Sequence, residues 1–237
     1  MSVLDRIERL RNVMEQQKID CYIIPTDDYH HSEYVGDYFK FREYITGFTG
    51  SAGTAVFTKD KAGLWTDGRY FIQAEAQLKG SGITLYKSGE SDVPTIEEFL
   101  KSELKEGDVL GFDGRTVTYA QGKRYCHIAD ENGASLKYGL DFAQNIWKER
   151  PEMSMESVFS LEDEYTGEKI GSKLERIREV MKENGCNAHV LSSLDDIAWL
   201  LNIRGNDIAY CPLVLSYAIV YNNSVELSVS YTHLTLP

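Results

Sequence analysis

Residues 9–14 read Arg-Leu-Arg-Asn-Val-Met, and residues 176–181 read Arg-Ile-Arg-Glu-Val-Met, 167 positions further along a chain of 237. Around the first copy, Leu4, Ile7, Leu10, Val13 and Met14 recur at the spacing that lines one face of a helix. Ser2, with Asp5 three residues later, supplies a short capping box at its start. Cys21–Pro25 then forms an apolar run closed by proline, which predicts a strand buried on both faces. Around the second copy, Ser172 and Glu175 are expected to cap a stripe of Leu174, Ile177, Val180 and Met181. Gly185 is expected to stop that helix, with a strand at Ala188–Leu191. The helices are 167 positions apart but the capping serines 170, so the first helix is expected to be about one turn longer. Past the strands, Asp28 matches Asp195, and with a gap 44–50 resembles 199–205. The chain therefore reads as a duplicated helix–strand domain.

Between the copies lies a full α/β unit. Thr54–Thr58 and 64–66 are expected to pair across the loop Lys59-Asp-Lys-Ala-Gly63, with Gly63 supplying a positive φ. Helix is predicted over 70–78, strand over Thr84–Lys87, helix over 95–104, strand over 109–113, helix over Tyr119–Glu131 and strand over 136–138. A hairpin combined with strand–helix alternation predicts an α/β fold with mixed sheets flanked by helices. The expected organisation is a first domain over 1–150, an acidic aperiodic linker over 151–171, and a truncated second domain over 172–227. The last ten residues, 228–237, read as the translation of a sequencing-library adapter and are expected to be a non-native tail outside the fold. On that reading a strand beginning at Leu213 has an unfinished edge, leaving Leu213, Val214, Leu215, Ile219 and Val220 without cover.

Lys and Arg number 25 against 37 Asp and Glu, and the net charge of −12 repels phosphate backbones and anionic lipid. Neither nucleic acid nor a membrane is an expected partner. Apolar residues at 42% with 19 Gly and 5 Pro exclude disordered and collagenous classes. No window approaches the roughly 20 apolar residues of a membrane span, and 1–10 is charged where a secretion signal is apolar, so a cytoplasmic location is expected. Cys21, Cys126, Cys186 and Cys211 lie far apart without a C-x-x-C pair, which predicts reduced thiols and no zinc ribbon.

None of the five histidines sits in an H-E-x-x-H pattern. His31-Ser-Glu33 has the H-x-E of zinc deaminases but no P-C-x-x-C follows. No G-x-S-x-G elbow occurs. The glycine-rich stretch 47–54 lacks the lysine of a phosphate loop and leads into a strand, so close backbone packing is expected of it. Asp27-Asp28 and Asp195-Asp196 lack the further converging ligands of a two-metal site, and Asp28 and Asp195 are expected to cap helices. Trp65-Thr-Asp-Gly-Arg-Tyr-Phe71 is denser in information. Asp67 is placed to cap a helix, Gly68 to allow a tight strand-to-helix corner, and Arg69 to present a planar guanidinium. That guanidinium either pairs locally with Asp67 or clamps a carboxylate or carbonyl.

Taken in order, 22–25 with Asp28 and 32–34, Gly47-Phe48 with 50–55, 65–71, and 195–200 with Asn202-Ile-Arg-Gly205 resemble one family. They are similar to the amino-terminal, non-catalytic region of the long, cytosolic, three-domain Xaa-Pro aminopeptidases (aminopeptidase P), relatives of creatinase and prolidase. The resemblance implies two creatinase N-terminal-like domains followed by a pita-bread domain. In the family that third domain holds two divalent metals, usually manganese, and removes an N-terminal residue preceding proline. It has no counterpart here, so the resemblance implies no catalytic residue and no metal ligand in this chain. Arg69 matches a family arginine that contacts bound peptide, which implies a substrate-binding role. The implied partners are short peptides with proline at the second position, the catalytic domain, and a second copy of the chain. Two other readings stay open: a catalytically dead binding module related to aminopeptidase P, and the front end of a creatinase or prolidase relative.

Overall fold

The computed structural model describes residues 1–229 and the backbone of residues 232–236. The chain divides into two compact units, one of Met1–Glu33 with Phe39–Pro151, the other built on the residues from Glu152 onward.

The first unit opens with α1 (Val3–Gln17), whose N-cap Ser2 and Asp5 form the expected reciprocal capping box. There follow β1 (Cys21–Pro25), α2 (Phe41–Thr46), β2 (Thr54–Thr58), β3 (Ala62–Thr66), α3 (Phe71–Gln77), β4 (Thr84–Lys87), α4 (Ile96–Glu103), β5 (Val109–Phe112), α5 (Tyr119–Glu131), β6 (Ser135–Tyr138) and α6 (Ala143–Ile146). The strands make a six-stranded sheet in the order β4-β3-β2-β1-β5-β6. Only β2 runs against the others, because β1–β2 and β2–β3 are antiparallel while β3–β4, β1–β5 and β5–β6 are parallel. The continuous apolar run of β1 follows from its central place. Tyr22 and Ile24 enter one core with Leu10, Met14, Ile45 and Phe142, and Cys21 and Ile23 enter the other with Phe99, Leu110 and Tyr125. Helices cover both faces.

The second unit contains β7 (Phe159–Ser160), α7 (Asp163–Thr166), α8 (Ile170–Glu183), β8 (Ala188–Leu191), α9 (Leu194–Leu200), β9 (Ile203–Arg204), β10 (Ser216–Tyr221), β11 (Val225–Val229) and β12 (Thr232–Leu236). Its larger sheet has the order β12-β11-β10-β8, and β7 pairs with β9.

The duplication holds at several matched positions. The helix caps, Ser2 and Lys169, keep the 167-residue offset, as do the left-handed residues closing each helix, Lys18 at φ 56° and Gly185 at φ 66°. The next amide bonds back identically, Ile19 to the carbonyl of Met14 and Cys186 to that of Met181, both at 2.8 Å. Arg11 Nε donates to the Thr58 carbonyl at 3.1 Å and Arg178 Nε to the Tyr221 carbonyl at 3.0 Å, each acceptor ending the antiparallel neighbour of the matched strand. The gapped match holds as well: Gly47 and Asn202 both leave their helices with positive φ, at 74° and 50°.

Several local expectations are corrected. Ser172 lies inside α8, bonded to Glu168 Oε1, and the cap at Lys169 has no side-chain bond, so the helices differ by one residue and not by a turn. Gly63 is not a turn residue but sits within β3, opposite Val56, where a Cβ would come within 2.7 Å of Trp65 and Tyr86. Asp195 is an exposed residue of the first turn of α9, whose cap is Ser193. The 151–171 stretch contains β7 and α7. Leu213, Val214 and Leu215 precede β10 and are buried, and β10 is flanked on both sides, by β8 and β11. Ser228 and Val229, expected outside the fold, continue β11 opposite Tyr217 and Ser216.

Candidate functional site

Because every strand of the first sheet except β2 points the same way, the loops after β1, β3 and β5 gather at one edge together with the start of β2. This edge carries Asp27, Asp28 and His31, the glycine-rich segment, and the Asp67–Arg69 corner.

Arg42, on α2, organises the edge and has no counterpart among the residues singled out from sequence. It is 3% exposed. Its guanidinium donates from Nε to Thr26 Oγ1 at 2.9 Å, from Nη1 to the Phe48 carbonyl and from Nη2 to the Gly50 carbonyl, and it lies over the Phe48 ring. Burial pushes its pKa down to about 10. Thr66 Oγ1 holds the Ala52 carbonyl at 2.7 Å, and the Thr26 amide and hydroxyl hold that of Gly53. The carbonyls of Phe48, Gly50, Ala52 and Gly53 are thus turned onto donors of the protein itself, which packs the glycine-rich segment closely against α2 and β3. Sequence offers little signal for this, since an arginine on a short amphipathic helix is ordinarily solvated.

Asp27 and Asp28 bond into the loop that follows β1, and Asp28 Oδ2 is buried without a hydrogen-bond partner among the described residues. Asp27 is 5% exposed, accepts from the Asp28 amide at 2.9 Å and meets His31 Nδ1 at 2.6 Å. Burial raises the pKa of Asp27, partly offset by the His31 bond. Asp28 Oδ1 accepts from the amides of His30 and Ser32, so it caps a loop turn and not a helix. Among the described residues no group of three or more His, Cys, Asp or Glu could hold a metal.

Arg69 stands in the open. Asp67 Oδ1 accepts from the Arg69 amide at 3.0 Å and from its Nε at 2.9 Å, while Oδ2 accepts from Nη2 at 2.9 Å. Asp67 therefore closes a turn onto Arg69 and does not cap α3, whose N-cap is Tyr70 without a side-chain bond. The Arg69 hydrogen bonds hold the Asp67 carboxyl below its usual range. The Arg69 side chain remains 64% exposed. Tyr70 links the corner to the glycine-rich segment through its hydroxyl, 2.7 Å from Ser51 Oγ.

The same corner occurs a second time. After β5, Asp113-Gly114-Arg115 repeats the three bonds: the Arg115 amide and Nε reach Asp113 Oδ1 at 3.0 Å each, and Nη2 reaches Oδ2 at 2.8 Å. Here Nη2 also donates to Asp141 Oδ2 at 2.9 Å, and the guanidinium lies over the Tyr29 ring. The two Asp-Gly-Arg triplets are visible in sequence, but only the first stands in the Trp-Thr-x-x-x-Tyr-Phe context that drew notice to it.

The creatinase/prolidase N-terminal domain family matches the chain twice, over residues 6–137 and 149–236. Xaa-Pro aminopeptidase 1 of Dictyostelium discoideum is 39% identical over 243 residues, covering 99% of this chain and 39% of that protein. Aminopeptidase P2 of Arabidopsis thaliana is 39% identical over 221 residues, covering 92% of this chain and 31% of that protein. The crystal structure of X-prolyl aminopeptidase from Caenorhabditis elegans, described as a cytosolic enzyme with a di-nuclear active site, superposes with a TM-score of 0.90 at 35% identity, over 97% of this chain and 39% of that one. The chain thus spans about two-fifths of the length of these relatives or less.

Proposed function

Because the chain belongs to the creatinase/prolidase N-terminal domain family, we propose that it forms the amino-terminal part of a cytoplasmic, metal-dependent Xaa-Pro aminopeptidase. In this reading the whole protein releases the first residue of peptides whose second residue is proline, and the present chain contacts and admits substrate without cleaving it. The observation that carries the reading is the 39% identity with a protein named Xaa-Pro aminopeptidase across 99% of the chain. Among the described residues no helix is long and apolar enough to cross a membrane.

In this reading the two divalent ions, manganese, are held by the catalytic part of the longer protein, and no reaction step is assigned to them here. What the chain contributes is Arg69. Asp67 takes two of its N–H groups and fixes the plane of the guanidinium, leaving an outer edge that can donate to a peptide carbonyl or carboxylate. Arg42 and Thr66 tie down the backing segment, so the side chain is presented from a rigid base and less freedom is lost on binding. A wall of this kind narrows the approach to a reactive centre and favours short or unfolded peptides. Short peptides with proline in the second position, the catalytic part of the longer protein and a second copy of the chain are the partners this reading assigns.

The test is to express the longer protein from the same gene and assay it on a peptide pair differing only in Pro or Ala at the second position. Manganese-dependent release from the Pro peptide, abolished by a chelator, is expected. Equal release from both peptides, or none from either, overturns the assignment.

A further inference from the structure

We infer that the outer edge of the Arg69 guanidinium is a carboxylate-binding site whose ligand is the carboxy-terminal carboxylate of a short peptide, an inference that rests on the aminopeptidase reading above. Arg69 and Arg115 make the same three bonds to the aspartate two residues before them, with matching distances. Arg115 then shows what the corner does with its remaining donors: it takes a second carboxylate, Asp141, at 2.9 Å. Asp141 comes from the loop after β6, the parallel neighbour of β5. The corresponding loop at Arg69 follows β4, the parallel neighbour of β3, and brings Ser88-Gly-Glu90. Among the described residues Glu90 makes no ion pair with Arg69, and Glu33 acts on Arg69 through space without a hydrogen bond.

Arg69 is therefore the open version of a site that is filled at Arg115. A guanidinium has five N–H groups in a rigid fork, and Asp67 takes one from Nε and one from Nη2, so the second Nη2 N–H, the donor side that Arg115 turns to Asp141, is left together with Nη1 for a planar acceptor. Exposure follows the same contrast, 64% for the Arg69 side chain against 46% for Arg115. In a chain of net charge −12, an unfilled guanidinium held in place at a loop edge is a local attraction for an anion that the rest of the surface repels. Substrates of an Xaa-Pro aminopeptidase that are only three residues long carry an α-carboxylate at a constant distance from the scissile bond. Acidic side chains occur at varying positions, so the terminus is the ligand a fixed site can use.

The experiment uses the longer enzyme and three Xaa-Pro tripeptides: a free acid with Ala in third position, its amide, and an amide with Glu in third position. The amide of the Ala peptide should show a KM about tenfold above the acid, with kcat nearly unchanged, the size expected of one lost charge-assisted contact. Arg69→Gln should raise KM for the acid to that of the amide and leave the amide as it was, and Arg69→Lys should fall between, because it keeps the charge and loses the fork. Equal KM for acid and amide, with Arg69→Gln raising both, overturns carboxylate recognition while leaving the aminopeptidase reading intact. A Glu amide with the low KM of the acid shows that the site accepts any carboxylate within reach and overturns its assignment to the terminus. Failure to hydrolyse any Xaa-Pro peptide overturns the aminopeptidase reading, and this inference with it.

Discussion

Lys173 Nζ lies 4.5 Å from the centre of the Trp199 ring and donates to the carbonyl of that same residue at 2.7 Å. Arg6, its counterpart in the first unit, lies 4.4 Å over the Tyr44 ring and donates to the Tyr44 carbonyl. The basic residue near the start of each repeated helix thus clamps both the ring and the backbone of the matched aromatic. Lys173 also donates to Asn202 Oδ1 at 2.6 Å, and Asn202 in turn donates to Thr166 Oγ1 and the Glu168 carbonyl. Replacing Lys173 with Met keeps the stem but strands two buried acceptors, so it should destabilise the second unit by about 1–3 kcal/mol. Hydrogen exchange is the measurement: amides of α8 and α9 should exchange faster in the variant, and those of α1 and α2 should not change.

The carboxylates of the first unit should titrate in opposite senses. Asp27 is raised by burial and Asp67 is lowered by the Arg69 hydrogen bonds, each from an ordinary value of 3.8. For Asp67 the folded value lies below the unfolded one, so its stabilisation is present above the unfolded value and is lost as pH falls through the folded value. For Asp27 the folded value is the higher, so stability declines as pH rises from the unfolded value through the folded one. Carbon-detected NMR titration should find Asp27 above and Asp67 below 3.8, and Arg69→Gln should move Asp67 upward while leaving Asp27 alone.

Gly63 lies beneath the stacked rings of Trp65 and Tyr86, whose centroids are 4.1 Å apart. Its φ is not in the left-handed region, so the cost of Gly63→Ala is steric and comes from parting the stack. A loss of about 1–3 kcal/mol in urea denaturation, together with a changed near-ultraviolet signal from Trp65, is expected.

Arg42→Met should leave the Phe48 and Gly50 carbonyls and Thr26 Oγ1 without their donor and lower stability by at least ~2 kcal/mol. Faster amide exchange over 48–53 than in the rest of the first unit would locate the effect. Unchanged exchange there would contradict the role given to Arg42.

What sequence shows and what it hides divides along physical lines. The repeat is legible because an amphipathic helix followed by a buried strand fixes both spacing and residue type: the second arginine of Arg-x-Arg-x-Val-Met makes the same bond in both copies, and its methionine is buried in both. The α/β alternation and the mixed sheet are legible for the same reason. Ser172 misleads because serine is a better isolated cap than Lys169, whereas in the fold its hydroxyl bonds to Glu168 from within the first turn of α8. Gly63 misleads because a glycine near a hairpin resembles a turn residue, and only the facing rings of Trp65 and Tyr86 show why a side chain is excluded. At the candidate site Arg69 is legible from its corner, but the buried hub at Arg42 and the second corner at Arg115 depend on partners distant in sequence, Gly50 and Asp141.

The proposed division of labour has this chain receive peptide and another part of the longer protein cleave it. The direct measurement is to incubate the purified chain with manganese and an Xaa-Pro tripeptide and to follow liberation of the first residue. No release above the protein-free rate is predicted; turnover by the chain alone would contradict the account.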